Sequence, residues 1–162
     1  LHVHIITFLI FFSVLTHSEA ILFELPVTLD GIELDNKIQY RGGEDVAVVV
    51  AKFLKSNAIT PNQEMVNALN NRLIEELRAR ATDVDGKQEL FRVPFKIKNE
   101  ILEMVVYDKT PVLLLASNFC VSNVKMLDQE EISVAQCCET VIQMTDDLHN
   151  KILSSLKNND AL

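Results

Sequence analysis

Hydrophobic and polar positions alternate along this chain in two separate stretches, and each stretch runs into apolar helical sequence. From Ile21, the residues Phe23, Leu25, Val27 and Leu29 alternate with Glu24, Pro26, Thr28 and Asp30, the period of a half-buried strand. Asp30-Gly31 reads as a hairpin turn, and Leu34, Ile38 and Tyr40 as the return strand, which Arg41-Gly42-Gly43 breaks. Pro26 has no N–H to give a ladder, which places its strand at an edge or a bulge. Glu44-Asp45 opens a short helix, with acidic side chains at the positive end of the helix dipole. Residues 46–54 are apolar nearly all round, so this helix belongs inside. Thr60-Pro61-Asn62-Gln63 has the form of a capping box with proline at the first helical position. Beyond it Met65, Val66, Leu69, Leu73, Ile74 and Leu77 recur at helical spacing to about Ala81.

The second stretch repeats this order. Phe91, Val93, Phe95 and Ile97 alternate with Arg92, Pro94, Lys96 and Lys98, each 68 positions after its counterpart. Lys98-Asn99 stands in for Asp-Gly, asparagine tolerating the left-handed conformation, and Leu102, Met104 and Val106 form the return strand. Thr110-Pro111 caps the next helix, whose Ala116, Phe119 and Asn123 answer Val50, Phe53 and Asn57 at an offset of 66. A strand is the rival reading of the valine run at 46–50, and the leucines at 113–115 decide for helix. Asp128-Gln129-Glu130-Glu131 reads as another capping box, opening a helix from Gln129 to about Lys157. Along it Val134, Cys138, Val141, Thr145, Leu148 and Ile152 sit at heptad-like spacing. A helix of that length packs on both halves or pairs with a second copy as a homodimer. The expectation is an α+β protein, a tandem duplication ββαα-ββαα with modules at residues 21–82 and 89–162 and a linker at 83–88.

The hairpin followed by an acidic residue at Asp45, then Ala51, Phe53-Leu54 and Asn57, resembles the PFU domain, the ubiquitin-binding module of phospholipase A2-activating-like proteins. The resemblance spans residues 22–77, and the Pro-Trp pair usual at that helix start is missing, the chain having no tryptophan. It implies a small hairpin-plus-helices interaction module, with ubiquitin as the kind of partner such modules take.

Residues 1–15 form an apolar run, and THSEA follows, with small Ser18 and Ala20 two apart. This is the pattern of a signal peptide over residues 1–20. A membrane anchor needs about 20 apolar residues, and Ser13 interrupts this run, so the remaining chain is expected to be free of the membrane and secreted or lumenal. The net charge of −8, with no Lys/Arg run, argues against nucleic acid as a partner, since that affinity rests on cationic side chains. Three of the four histidines lie at or before His17, leaving His149 as the one available to a Cys-His site. No Gly-rich phosphate loop, GxSxG or N-x-S/T sequence occurs. Cys120, Cys137, Cys138 and His149 have the ligand types of a zinc site but not its spacing, and Asp83-x-Asp85-Gly86 lacks the acidic twelfth position of a calcium loop. No catalytic residue, metal ligand or cofactor is therefore assigned.

An oxidising compartment favours one disulfide among three pairings. Cys120 falls on Leu54 at an offset of 66, and Cys137 falls on Leu69 at 68. Both leucines lie on apolar faces that should touch, which selects Cys120–Cys137. Cys138 falls on polar Asn70 and is left as a free thiol, either more exposed and open to a link with another chain or buried by the heptad-like stripe. The reading is a non-enzymatic tandem-repeat protein-interaction module with an unknown protein partner. The alternative is an accessory N-terminal domain or fragment of a secretory-pathway enzyme. Edman sequencing of secreted protein should start at Ile21, and a chain starting at Leu1 would overturn the signal peptide.

Overall fold

The computed structural model describes residues 20–160, so the expected signal peptide lies outside the described residues except for Ala20. The fold is α+β, with six strands and five helices among these residues. Strand β1 (Ile21–Leu25) pairs antiparallel with β4 (Ile38–Arg41), setting Phe23 opposite Tyr40 and Leu25 opposite Ile38. Between them β2 (Thr28–Leu29) and β3 (Ile32–Glu33) prolong the hairpin. Asp30 and Gly31 close it with φ of 50° and 79°, the two positive angles of a type I′ turn. Pro26 divides what reads as one strand into β1 and β2. Pro94 does not: β5 (Glu89–Ile97) and β6 (Glu100–Tyr107) form one ladder in which Pro94 lies opposite Glu103. A two-stranded sheet has two free edges, where a missing N–H costs nothing. Lys98, rather than Asn99, takes the left-handed angle in the second turn, at φ 53°.

Helix α1 (Val46–Ser56) is capped by Asp45, whose carboxylate accepts from Ala47 N at 2.8 Å. Ala58, at φ 53°, ends it: Ala58 N donates to Lys55 O and Ile59 N to Leu54 O, at 3.1 and 3.0 Å, a Schellman motif. Helix α2 (Gln63–Ala81) starts two residues later than its capping box suggests. Asn62 is the cap and accepts from Met65 N at 2.8 Å, which leaves Pro61 ahead of the helix. Helix α3 (Val112–Ser122) has Pro111 at its cap position, with no side-chain cap bond from the Thr110-Pro111 pair.

The expectation of two helices per half fails in the second half, where α4 (Val124–Gln129) intervenes before α5 (Val134–Asp160). The position equivalent to Ala58 is Val124, and a β-branched residue is a poor host for the left-handed angle. The chain stays helical through α4 and makes its Schellman turn at Glu131, φ 56°, where Ile132 N donates to Leu127 O at 3.0 Å. The capping box moves accordingly from residues 128–131 to Ser133 and Gln136. Gln136 N donates to Ser133 Oγ at 3.1 Å and Ser133 N to Gln136 Oε1 at 3.0 Å, the reciprocal pair that defines the motif.

Helix α3 is central, packing against α2, α5 and β6, while α1 packs against α2 and β4 and α5 against β5. Phe53 is buried at 9% exposure. Phe119, expected to match it, is only partly buried and meets Phe95 edge-on at 5.9 Å between ring centroids. The loop after β4 lies on α3, where Gly42 sits so close to the Leu113 side chain that a Cβ would overlap it. Gly42→Ala is expected to cost about 1–3 kcal/mol in urea melts, the range for overpacking. Adding Leu113→Ala should recover part of that loss, and additive penalties would show that the two sites do not compete for the same space.

Candidate functional site

Cys120 on α3 and Cys137 on α5 form a disulfide with their Cα atoms 5.9 Å apart. Cys138, the next residue, points about 100° away around the helix, and the expectation of an exposed thiol is corrected: it is 2% exposed. Its side chain faces Gly43 and lies 3.8 Å from Ser117 Oγ. Ser117, the polar residue within the apolar run of α3, is fully buried. Its hydroxyl accepts from Gly43 N at 2.9 Å and donates to Leu113 O at 2.6 Å. Tyr40 closes the same junction, donating to Glu44 O at 2.8 Å. Burial drives the Tyr40 hydroxyl well above the ordinary tyrosine range, with nearby Cys138 and Glu44 adding to the effect. These groups are satisfied and enclosed, which is the environment of a structural joint between the two halves.

His149 packs against Phe91, ring centroids 6.1 Å apart, and no cysteine is bonded to it. Asp83 and Asp85 belong to an exposed turn held by Lys87, whose Nζ donates to Asp83 O at 2.6 Å. Among the described residues no group of three or more His, Cys, Asp and Glu side chains gathers where a metal ion could be held. No helix among them is long and apolar enough to cross a membrane.

The open concave surface is a cleft of about 620 Å³ between the β4 strand and α1. Lys37, Ile38, Gln39 and Arg41 line it from the strand side, and Val49, Lys52, Phe53, Ser56 and Asn57 from the helix side. Its rim is fixed by short-range polar bonds: Asn36 Nδ2 donates to Asn57 Oδ1 at 2.9 Å, Asn57 Nδ2 to Phe53 O at 2.8 Å, and Gln39 Nε2 to Glu24 Oε1 at 3.1 Å. A second cleft, of about 450 Å³, lies between β6 and α3. Glu103, Met104, Val105 and Tyr107 line it with Leu115, Asn118, Phe119, Ser122 and Asn123. Each of these nine positions lies 66 after one of the nine in the first cleft. Asn123 Nδ2 donates to Phe119 O at 2.7 Å, as Asn57 does to Phe53. The clefts differ in what else touches them: Ala81, Thr82 and Val84, from the end of α2 and the turn after it, wall the second, whereas Glu24, Asp35, Asn36 and Glu44 complete the first.

Sequence reasoning placed the disulfide but named none of the cleft residues as a site. The signal was present, because the offset of 66 that aligns the two helices also aligns the return strands beside them.

Two measurements check the cysteine chemistry. Replacing Cys120 and Cys137 by alanine should cost about 3 kcal/mol, the chain-entropy value for a loop of this size, and peptide mapping should find Cys138 unmodified until the protein unfolds. Burial pushes the Cys138 thiol up to about 11 from its ordinary 9.0, and Glu139 adds to this while the Ser117 contact opposes it. The folded state therefore holds this proton more tightly than the unfolded chain does. That contribution is complete below about pH 9 and is lost as pH rises through about 11. Between those values the wild type should lose on the order of 2 kcal/mol more stability than Cys138→Ala, and parallel pH profiles would contradict this placement of the thiol. No family model, curated protein or solved structure matches the chain.

Proposed function

We propose that the chain is a secreted or lumenal, non-enzymatic protein-interaction module built by tandem duplication of a hairpin-plus-two-helix unit, with the cleft between β4 and α1 as its docking surface. The observation that carries this reading is the matching of nine lining positions in the two clefts at a constant offset. Two further details support the duplication. The ladder irregularity between Ile21 and Phe23 recurs between Glu89 and Phe91. The pairs Phe23–Tyr40 and Leu25–Ile38 recur as Phe91–Val106 and Val93–Met104, so strand register is shared. The likeness to PFU modules fits a hairpin-plus-helix unit that works by contact with another protein.

The cleft favours binding over catalysis. It is shallow-walled by long polar side chains around Ile38, Val49 and Phe53, the mixture of apolar centre and polar rim typical of protein interfaces. It contains no histidine, cysteine or serine–base pair to act as a nucleophile.

Affinity capture from native secretions with the chain from Ile21, run beside a Lys52→Glu, Ser56→Arg variant, tests the assignment. Both residues are exposed in the last turns of α1, so the variant should melt like the wild type while losing the captured protein. A partner retained equally by both proteins would remove the cleft from the proposal.

A further inference from the structure

The two halves of the chain meet through unlike surfaces. The first contributes the Gly42-Gly43 loop and α2, and the second contributes α3 and Cys138 of α5. A contact of this kind between repeated units leaves one unused copy of each surface, at opposite ends of the array. On the α1 end the unused surface takes in the first cleft, whose counterpart the end of α2 walls, together with exposed Ala47 and Ala51 at the positions equivalent to Leu113 and Ser117. On the other end it is α5, the counterpart of α2.

The offset of 68 that relates the two long helices carries Ala81 and Val84, which wall the second cleft, onto His149 and Ile152. From Asn150 to Asp160 every residue of α5 is exposed, and Ile152, Leu153 and Leu156 hold 37%, 43% and 56% of their surfaces in solvent. An apolar stripe one turn long is therefore exposed at the position equivalent to the segment that walls the second cleft.

Resting on the duplication and on the cleft assigned above, we infer that the occupant of the first cleft is a second copy of this chain. The α5 end of one copy, from His149 to Leu156, enters the cleft between β4 and α1 of the next, taking the place that Ala81, Thr82 and Val84 take in the second cleft. The first cleft is the larger of the two, about 620 Å³ against about 450 Å³. Charge is compatible with this partner: Lys151 is the one charged residue between His149 and Leu156, and the first cleft adds the carboxylates of Glu24, Asp35 and Glu44 to the basic Lys37, Arg41 and Lys52.

Sedimentation of the chain from Ile21 should show a mass that rises with concentration. Two variants separate the two surfaces: Ile152→Asp with Leu156→Asp disables the helix end, and Lys52→Glu with Ser56→Arg disables the cleft. Each variant should be monomeric and melt like the wild type, and an equimolar mixture should form a one-to-one complex through the single intact pair of surfaces. A wild type still monomeric at about 1 mM, the weak end of measurable association, would overturn the inference. So would a cleft variant that associates like the wild type, which marks a symmetric pairing of α5 ends, and so would a mixture that stays monomeric. If self-association fails while capture of another protein still depends on Lys52 and Ser56, the interaction module stands and only this partner falls.

Discussion

The burial of most of α3 is the constraint from which the rest of the arrangement follows. Its eleven residues include no charge, so each face left in water would forfeit hydrophobic stabilisation of about 25 cal/mol per Å². Three elements, β6, α2 and α5, cover most of it. On another side backbone makes the close approach, at Gly42 against Leu113, where no side chain would fit. Close approach brings peptide groups into an apolar setting, and Ser117 answers this by accepting the Gly43 N–H. A buried donor left unpaired there would cost roughly 1–3 kcal/mol.

Helix α1 has the same length and a related sequence but a different environment, and the differences in composition track it. Lys52 and Lys55 stand where α3 has Asn118 and Val121, and Ala47 and Ala51 where it has Leu113 and Ser117. Those four side chains of α1 are exposed. The same contrast holds for the cysteines: Leu54 of the first half makes an apolar contact where Cys120 of the second makes a covalent bond. That bond pins α5 to α3 and stabilises the pair by restricting the unfolded chain.

Much of this was legible in the sequence, and the failures have local causes. Strand parity, the short apolar helices and the Cys120–Cys137 pair could be read because each rests on periodicity or on an offset, both of which survive without coordinates. The helix starts at Gln63 and Val134 were misplaced because several residues in a row could each serve as a cap, and the choice depends on which backbone turn ends the previous helix. Helix α4 was missed for the same reason, since the intolerance of Val124 for a left-handed angle matters only if the chain must turn there. The exposure of Cys138 was misjudged through its polar counterpart Asn70, which is itself half-buried with its Oδ1 enclosed, so a polar counterpart does not imply solvent.

The clefts were illegible for a different reason. The first cleft mixes buried residues, Ile38, Val49 and Phe53, with exposed ones such as Lys37, Lys52 and Ser56, so no single hydrophobic period marks it. Buried positions related by a fixed offset stay apolar in both halves, as in Leu25 with Val93 and Ile38 with Met104. Positions open to solvent change character, as in Lys52 with Asn118 and Arg78 with Asp146. Val48 on α1 and Ile152, Leu153 and Leu156 on α5 are apolar and exposed nonetheless. Surfaces with charged rims that keep their apolar centres suit reversible contact, because the free form stays soluble while the apolar area still favours the bound one.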